Sequence, residues 1–386
     1  MNPLIEDTGK VAEIIPNRLY WISDNKKPSG VKGAFSFCVD DNLVYSPYFS
    51  DFGPLNLGQT YRFITGLQDI LKNDKYKDVV VFHHTSKDSS KRANAAYLMG
   101  AFMVIVMGKT AEEAVMHFEK LNPPLRHFRD ASYFECSYEC TLLDILQGLE
   151  YAIKLGWFNL KKFNVKDYDF YEMENHGNLN WIVPGKFVAL SSPLDEPGCS
   201  PEDYVPLFKK FRVTSIVRLN NPCYTPTAFK ENGINHYDVI FRDGSTPAEE
   251  KYLEFLKVAE KEPCLAVHCK AGLGRTGTMI ALYVMKHFKF PAHAFIGWIR
   301  ICRPGSILGP QQHWLNMLQD KMFDEPSEIW DSLPADVKEV QKRISQFRKT
   351  NLVMNDFEKK VFQEGQIGQA EQLKLKQELK NALVSK

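Results

Sequence analysis

The sequence predicts an α/β protein of two tandem domains with a charged, helical C-terminal tail, and three observations lead there. Strand-like apolar segments alternate with helical ones in both halves, the pattern of α/β domains. The halves also echo each other: Ile14-Ile15-Pro16-Asn17-Arg18-Leu19-Tyr20-Trp21 resembles Ile182-Val183-Pro184-Gly185-Lys186-Phe187-Val188-Ala189. Finally, 386 residues give room for two such domains and an extension.

Taken in order, each echoing segment reads as a first strand entered through its proline. Val79 to His84 is a second strand, leading through a polar loop to a helix that begins near Arg92. The apolar run Ala95 to Met107 is too short to span a bilayer and reads as a core helix, so no transmembrane segment is expected. A further amphipathic helix covers Ala111 to Leu121, and the first domain is assigned to residues 1–163. An acidic, tyrosine-rich linker, 164–178, ends in a turn at His176-Gly177-Asn178. In the second domain, 179–323, a buried strand over Cys264 to Val267 precedes a glycine-bearing loop. A buried helix over Thr278 to Met285 follows it, then another over Ala292 to Ile301. The tail, 324–386, is charged; its Leu373, Leu375, Leu379 and Leu383 are too irregular for a heptad seam.

Composition narrows the function. The 48 Lys+Arg nearly balance 47 Asp+Glu, so no nucleic acid or acidic membrane is an expected partner. Eight cysteines lie at scattered spacings with no CxxC pair and no secretory leader, which fits a reducing, intracellular setting. Cys136 and Cys140 are four apart, but no second pair completes a zinc site, and no metal or cofactor is expected. The oligomeric state is not set by the sequence.

The chemistry lies in His268-Cys269-Lys270-Ala271-Gly272-Leu273-Gly274-Arg275-Thr276-Gly277. A cysteine between a strand end and a helix N-terminus meets inward-pointing amides and a helix dipole, both of which favour an anion. That field favours a nucleophilic Cys269 thiolate and a phosphate held against it by the backbone of Lys270, Ala271, Gly272, Leu273, Gly274 and Arg275. The Arg275 fork matches two phosphate oxygens. The Thr276 hydroxyl can donate to the sulfur as it leaves, and His268 fixes the loop through ring hydrogen bonds. Cysteine, five residues, arginine, then Ser/Thr is the signature of cysteine-dependent phosphatases. The first half has Thr85 in place of the cysteine, lacks the glycines and spaces Arg92 one residue farther, so it is read as non-catalytic. Its Lys87, Lys91 and Arg92 read as a solvated loop, with anion binding as the alternative.

A poor leaving group such as a serine alkoxide needs a proton donor, and Asp243 suits that role. It follows a strand over Tyr237 to Phe241, precedes a flexible glycine, and stands before a helix capped near Ser245 or Thr246. Downstream, a side-chain amide of Gln311 or Gln312 is a candidate for orienting the hydrolytic water.

Together HCKAGLGRTG, RDGSTP at 242–247, ICRPGSILGPQQ at 301–312, NWIVPGKF at 180–187 and KRANAA at 91–96 resemble the mitotic-exit dual-specificity phosphatases, the family named for cell-division-cycle gene fourteen. The resemblance covers roughly residues 14–323. It implies tandem dual-specificity-phosphatase-like domains joined by a linker helix, and an enzyme for phosphorylated protein substrates bearing phosphoserine-proline with a basic residue downstream. It further implies a cell-cycle or cytoskeletal role, with nucleophile Cys269, phosphate-binding Arg275 and general acid Asp243. An acidic groove for the substrate's cation would include Asp169 and Glu172, with Glu174 a looser match. A basic tail segment such as Lys342-Arg343 could occupy that groove.

Two rival readings remain. Lys270 also occurs in phosphoinositide phosphatases, although those usually carry a second lysine where this chain has Leu273. The first domain could also act as a phosphoprotein-binding scaffold.

Overall fold

The computed structural model describes residues 9–24, 33–132 and 136–347. Its first sheet has the order β1-β2-β4-β3, from β1 (Val11–Ile15), β2 (Leu19–Ser23), β3 (Phe35–Phe37) and β4 (Val81–Thr85). The second has the order β5-β6-β9-β7-β8, from β5 (Leu179–Val183), β6 (Phe187–Leu190), β7 (Ser215–Arg218), β8 (Asn235–Asp238) and β9 (Leu265–His268). In both, an antiparallel hairpin leads into parallel strands, so the duplication is carried by the topology.

Each echoing segment is a hairpin rather than a single strand entered through a proline. Pro16-Asn17 and Pro184-Gly185 form the turns, with φ of 56° at Asn17 and 76° at Gly185. Proline cannot donate to the ladder, so it ends the first strand of each pair, and the left-handed residue after it reverses the chain. All four residues of β9 are buried between β6 and β7, as a central parallel strand covered on both faces must be.

Helices cover these sheets: α1 (Leu57–Lys72), α2 (Ser89–Ile105), α3 (Ala111–Met116) and α4 (Leu142–Lys154) in the first domain, then α5 (Val165–Glu172) as the linker. The second domain has α6 (Pro201–Phe211), α7 (Thr227–Glu231), α8 (Glu249–Lys261), α9 (Gly274–Phe288), α10 (Ala292–Cys302) and α11 (Pro310–Asp324). Two helices differ from expectation. The Asp88 side chain accepts from the amides of Ser90 and Lys91, which starts α2 three residues before Arg92. The α3 helix stops at Met116 instead of Leu121.

The domains share one apolar core rather than touching at their surfaces. Helices α4 and α10 cross at reciprocal glycines. A Cβ on Gly148 would lie 2.1 Å from the Ala294 carbonyl oxygen, and one on Gly297 would lie 2.5 Å from that of Asp144. Only glycine lets the two backbones approach so closely. The linker helix is capped by Asn164, and the Tyr168 hydroxyl lies 2.9 Å from the Cys302 carbonyl oxygen, fastening α5 to the end of α10.

The tail continues as α12 (Glu328–Ser332) and α13 (Ala335–Phe347). Val337 and Ile344 are buried in the shared core, and Arg343 contacts Glu112 and Glu150 of the first domain. Arg343 is thus paired with these two acids rather than with Asp169 or Glu172. Leu373, Leu375, Leu379 and Leu383 lie outside the described residues. Among the described residues no helix is long and apolar enough to cross a membrane.

Candidate active site

Cys269 follows the last residue of β9 and is 3% exposed. The loop after it is shaped by Gly272, at φ +69°, where a Cβ would stand 1.9 Å from the Leu190 carbonyl oxygen. No side chain caps the first turn of α9, so its amides remain available to an anion in the loop. Lys270 is exposed at the rim, while its carbonyl accepts from the Ser192 amide at 3.0 Å. The Thr276 hydroxyl is fully buried and has no hydrogen-bond partner among the described residues.

Arg275 is 5% exposed, and its Nη1 donates to the carbonyls of Phe241 (3.0 Å) and Leu219 (3.2 Å). Those bonds orient the fork at the loop mouth. Its Nε lies 3.2 Å from Oδ1 of Asp243, whose side chain is 69% exposed. The two side chains that the sequence singled out, Arg275 and Asp243, therefore meet at one rim. Gly244, the next residue, takes the left-handed φ of +72° that glycine accepts without strain. The acid loop departs from the sequence reading in two ways. β8 ends at Asp238, and neither Ser245 nor Thr246 caps α8, since Ala248 is the cap residue and the Ser245 hydroxyl donates back to the Arg242 carbonyl at 2.9 Å.

In the first domain the equivalent loop is filled from within. The Thr85 hydroxyl lies 2.9 Å from Oδ1 of Asp40, and the Ser86 amide donates to Oδ2 at 2.8 Å. Lys91 pairs with Asp41 at 3.2 Å, Lys87 with Asp24 at 3.3 Å, and buried Arg92 donates to the Pro123 carbonyl at 2.7 Å. A carboxylate at the loop and partners on all three cations argue against the anion-binding alternative.

The two glutamines separate. Gln312 turns toward Arg300, from which it accepts at 2.6 Å, and donates to the Gly309 carbonyl. Gln311 reaches the site: its Oε1 would lie 2.9 Å from a Cβ on Gly274, and its Nε2 donates to the Ser245 carbonyl at 3.0 Å. The linker acids separate too. Asp169 is partly exposed and paired with Arg62. Glu172 accepts from Asn56 Nδ2 at 3.0 Å and lies 3.0 Å from the Tyr168 hydroxyl; burial raises its pKa. Glu174 is exposed in the short turn Glu174–His176.

Residues 13–152 match the family model described as the N-terminal half of dual specificity protein phosphatases. Residues 176–312 match the model of the DSP-PTPase phosphatase domain of Swiss Army Knife proteins. The chain is 45% identical over 320 residues to human dual specificity protein phosphatase CDC14A, covering 81% of this chain and 54% of that one. It is 40% identical over 319 residues to human CDC14C, covering 81% and 71% respectively. The tyrosine-protein phosphatase CDC14 homolog of Schizosaccharomyces pombe is 35% identical over 329 residues, covering 81% and 61%. The chain belongs to the CDC14 family. It spans about half the length of the CDC14A proteins it matches.

Within this CDC14 family member, two sets of residues at the site escaped the sequence reading. Arg303, 4% exposed, donates to the carbonyls of Gly272 (2.8 Å) and Ala271 (3.0 Å). It also donates to Asn178 O (2.9 Å), Asn178 Oδ1 (2.7 Å) and Asn180 Oδ1 (2.7 Å). One buried fork thereby ties the nucleophile loop to the domain linker. Burial lowers its pKa to about 10, so it stays charged at neutral pH. The second set surrounds His268. Its Nδ1 donates to the Cys269 carbonyl (3.0 Å), which leaves Nε2 to accept from the Tyr224 hydroxyl (2.8 Å); that oxygen then accepts from Nε2 of His236 (3.0 Å). Burial lowers the His268 pKa to about 3, so the ring is neutral at pH 7.

Proposed function

We propose that this chain is a cysteine-dependent protein phosphatase that hydrolyses phosphoserine-proline sites through a phosphocysteine, with capacity for phosphotyrosine. The observation that carries the reading is the meeting of three groups: buried Cys269 at the loop floor, Arg275 at its mouth, and Asp243 3.2 Å from that arginine. In the first half-reaction the Cys269 sulfur bonds to phosphorus and the serine Oγ–P bond breaks, with the proton of Asp243 passing to the departing oxygen. In the second, water attacks the phosphocysteine, Asp243 takes its proton, and the Thr276 hydroxyl donates to the returning sulfur. Inorganic phosphate leaves.

The preference for a downstream Lys or Arg is assigned to the linker. Asp169 is half-exposed and already holds a guanidinium, that of Arg62, so a substrate cation can exchange for it. Glu172 supports the helix from within rather than meeting the substrate directly. A nucleophilic thiolate has to stay reduced, and the described cysteines are all free, which fits work in an intracellular compartment.

The test is kcat/KM on matched peptides: phosphoserine-proline with and without a downstream lysine, phosphotyrosine, and a soluble phosphoinositide. The reading expects the lysine-bearing phosphoserine-proline peptide to lead among the serine substrates. A preference for the phosphoinositide would overturn the substrate class while leaving the Cys269 chemistry in place.

A further inference from the structure

The backbone most in need of restraint near the site lies between α10 and α11. Gly305, Ile307 and Gly309 have φ of 81°, 59° and 53°. For a β-branched residue such as Ile307 the left-handed region is strained, and such a conformation persists only where its surroundings hold it. Two buried, opposite charges do so. From the catalytic domain, Arg300 donates to the carbonyls of Ser306 (3.1 Å) and Ile307 (2.8 Å) and to Gln312. From the first domain comes Asp130, which is fully buried. Its Oδ2 accepts from the Gly309 amide, and its Oδ1 accepts from the Ser132 hydroxyl at 2.9 Å. Further cross-domain bonds lie one turn on: Ser137 Oγ is 3.0 Å from His313 Nε2, and Asn316 donates to the Tyr138 hydroxyl at 3.1 Å.

The segment held this way delivers Gln311. Its Oε1 accepts from the Leu308 amide at 3.2 Å, beside Gly274 of the nucleophile loop, and its Nε2 reaches Ser245 of the acid loop. Gly309 is two residues before it, so the amide captured by Asp130 sets where Gln311 stands.

We propose that Asp130, in the domain that lacks a nucleophile, is a positioning residue for phosphocysteine hydrolysis: by fixing Gly309 it holds Gln311 against Gly274, where the glutamine amide orients the attacking water. The cysteine-less domain thereby supplies part of the catalytic geometry. This rests on the phosphocysteine reading above.

Rapid-quench kinetics on an activated aryl phosphate separates the two half-reactions, because that leaving group needs no proton from Asp243. Asp130→Ala is expected to keep the phosphorylation rate constant within about two-fold. Hydrolysis should slow at least ten-fold, so that phosphocysteine accumulates and more phosphate passes to an added alcohol. Asp130→Asn, which keeps one acceptor for Gly309, should recover part of the loss and serves if the alanine variant does not fold. Gln311→Ala should show the same split, and adding Asp130→Ala to it should slow hydrolysis little further. Equal loss of both rate constants, no loss in either, or additive losses in the double variant would each overturn the proposal. Absence of a phosphoenzyme in the unmutated protein would instead overturn the reading beneath it.

Discussion

Replacing Arg303 by lysine keeps the positive charge and removes the fork. The guanidinium gives five donor–acceptor contacts, two of them to the carbonyls of Gly272 and Ala271 in the nucleophile loop. A lysine ammonium has three hydrogens, so at least two of those acceptors lose their partner in a site that is 4% exposed. Each orphaned buried acceptor costs about 1–3 kcal/mol, or roughly 2–6 kcal/mol for two. If about 2 kcal/mol of that falls on the loop, anion affinity drops roughly thirty-fold. The assay is the inhibition constant of orthovanadate or inorganic phosphate, read beside kcat/KM on an aryl phosphate, with Tm recorded to monitor the fold. Arg303→Lys is expected to weaken both inhibitors and lower kcat/KM by a similar factor while the protein stays folded. Inhibition constants unchanged from the parent would refute the claim that the linker-to-loop fork shapes the anion site.

Three other outcomes follow from the same geometry. Gly272→Ala should lose turnover and anion binding together, because the added methyl would sit 1.9 Å from the Leu190 carbonyl oxygen at a left-handed φ; a variant with near-parent kcat/KM would contradict it. Asp243→Ala should reduce kcat/KM on phosphoserine peptides by roughly 10²–10⁴ and on activated aryl phosphates far less, as steady-state rates on the two substrates will show. Acid should destabilise the fold through His83 and His268, both held near pKa 3 by burial against 6.5 in water. Between those values the unfolded chain binds protons that the folded chain does not. The stabilisation is therefore complete above pH 6.5 and is lost as pH falls toward 3, at about 1.4 kcal/mol per pH unit for each histidine; denaturant melts at pH 7, 6 and 5 would check it.

What could be read from the sequence was whatever is contiguous. Cys269 to Gly277 and Asp243 to Gly244 are short segments whose residue types state their own chemistry, and the tandem α/β plan followed from repetition and periodicity. The proline of each hairpin was misplaced because a proline entering a strand and one ending it leave the same local signal. Gln311 and Gln312 are neighbours of one type, and only the packing of α11 turns one toward Gly274 and the other toward Arg300. Arg303, Tyr224 and Asp130 act on partners 31, 44 and 179 residues away, at Gly272, His268 and Gly309, which no local pattern encodes. Asp40 was missed for the same reason, since it closes the first domain's loop from 45 residues upstream.

The central claim is that Cys269 carries the phosphoryl group, and the most direct test is to trap it. A labelled phosphoserine-proline peptide, quenched in acid within the first turnover, should leave label on a peptide containing Cys269 at up to one equivalent per enzyme. Cys269→Ser should leave none while still binding the phosphopeptide. Label on another residue, or measurable turnover by the serine variant, would contradict the account.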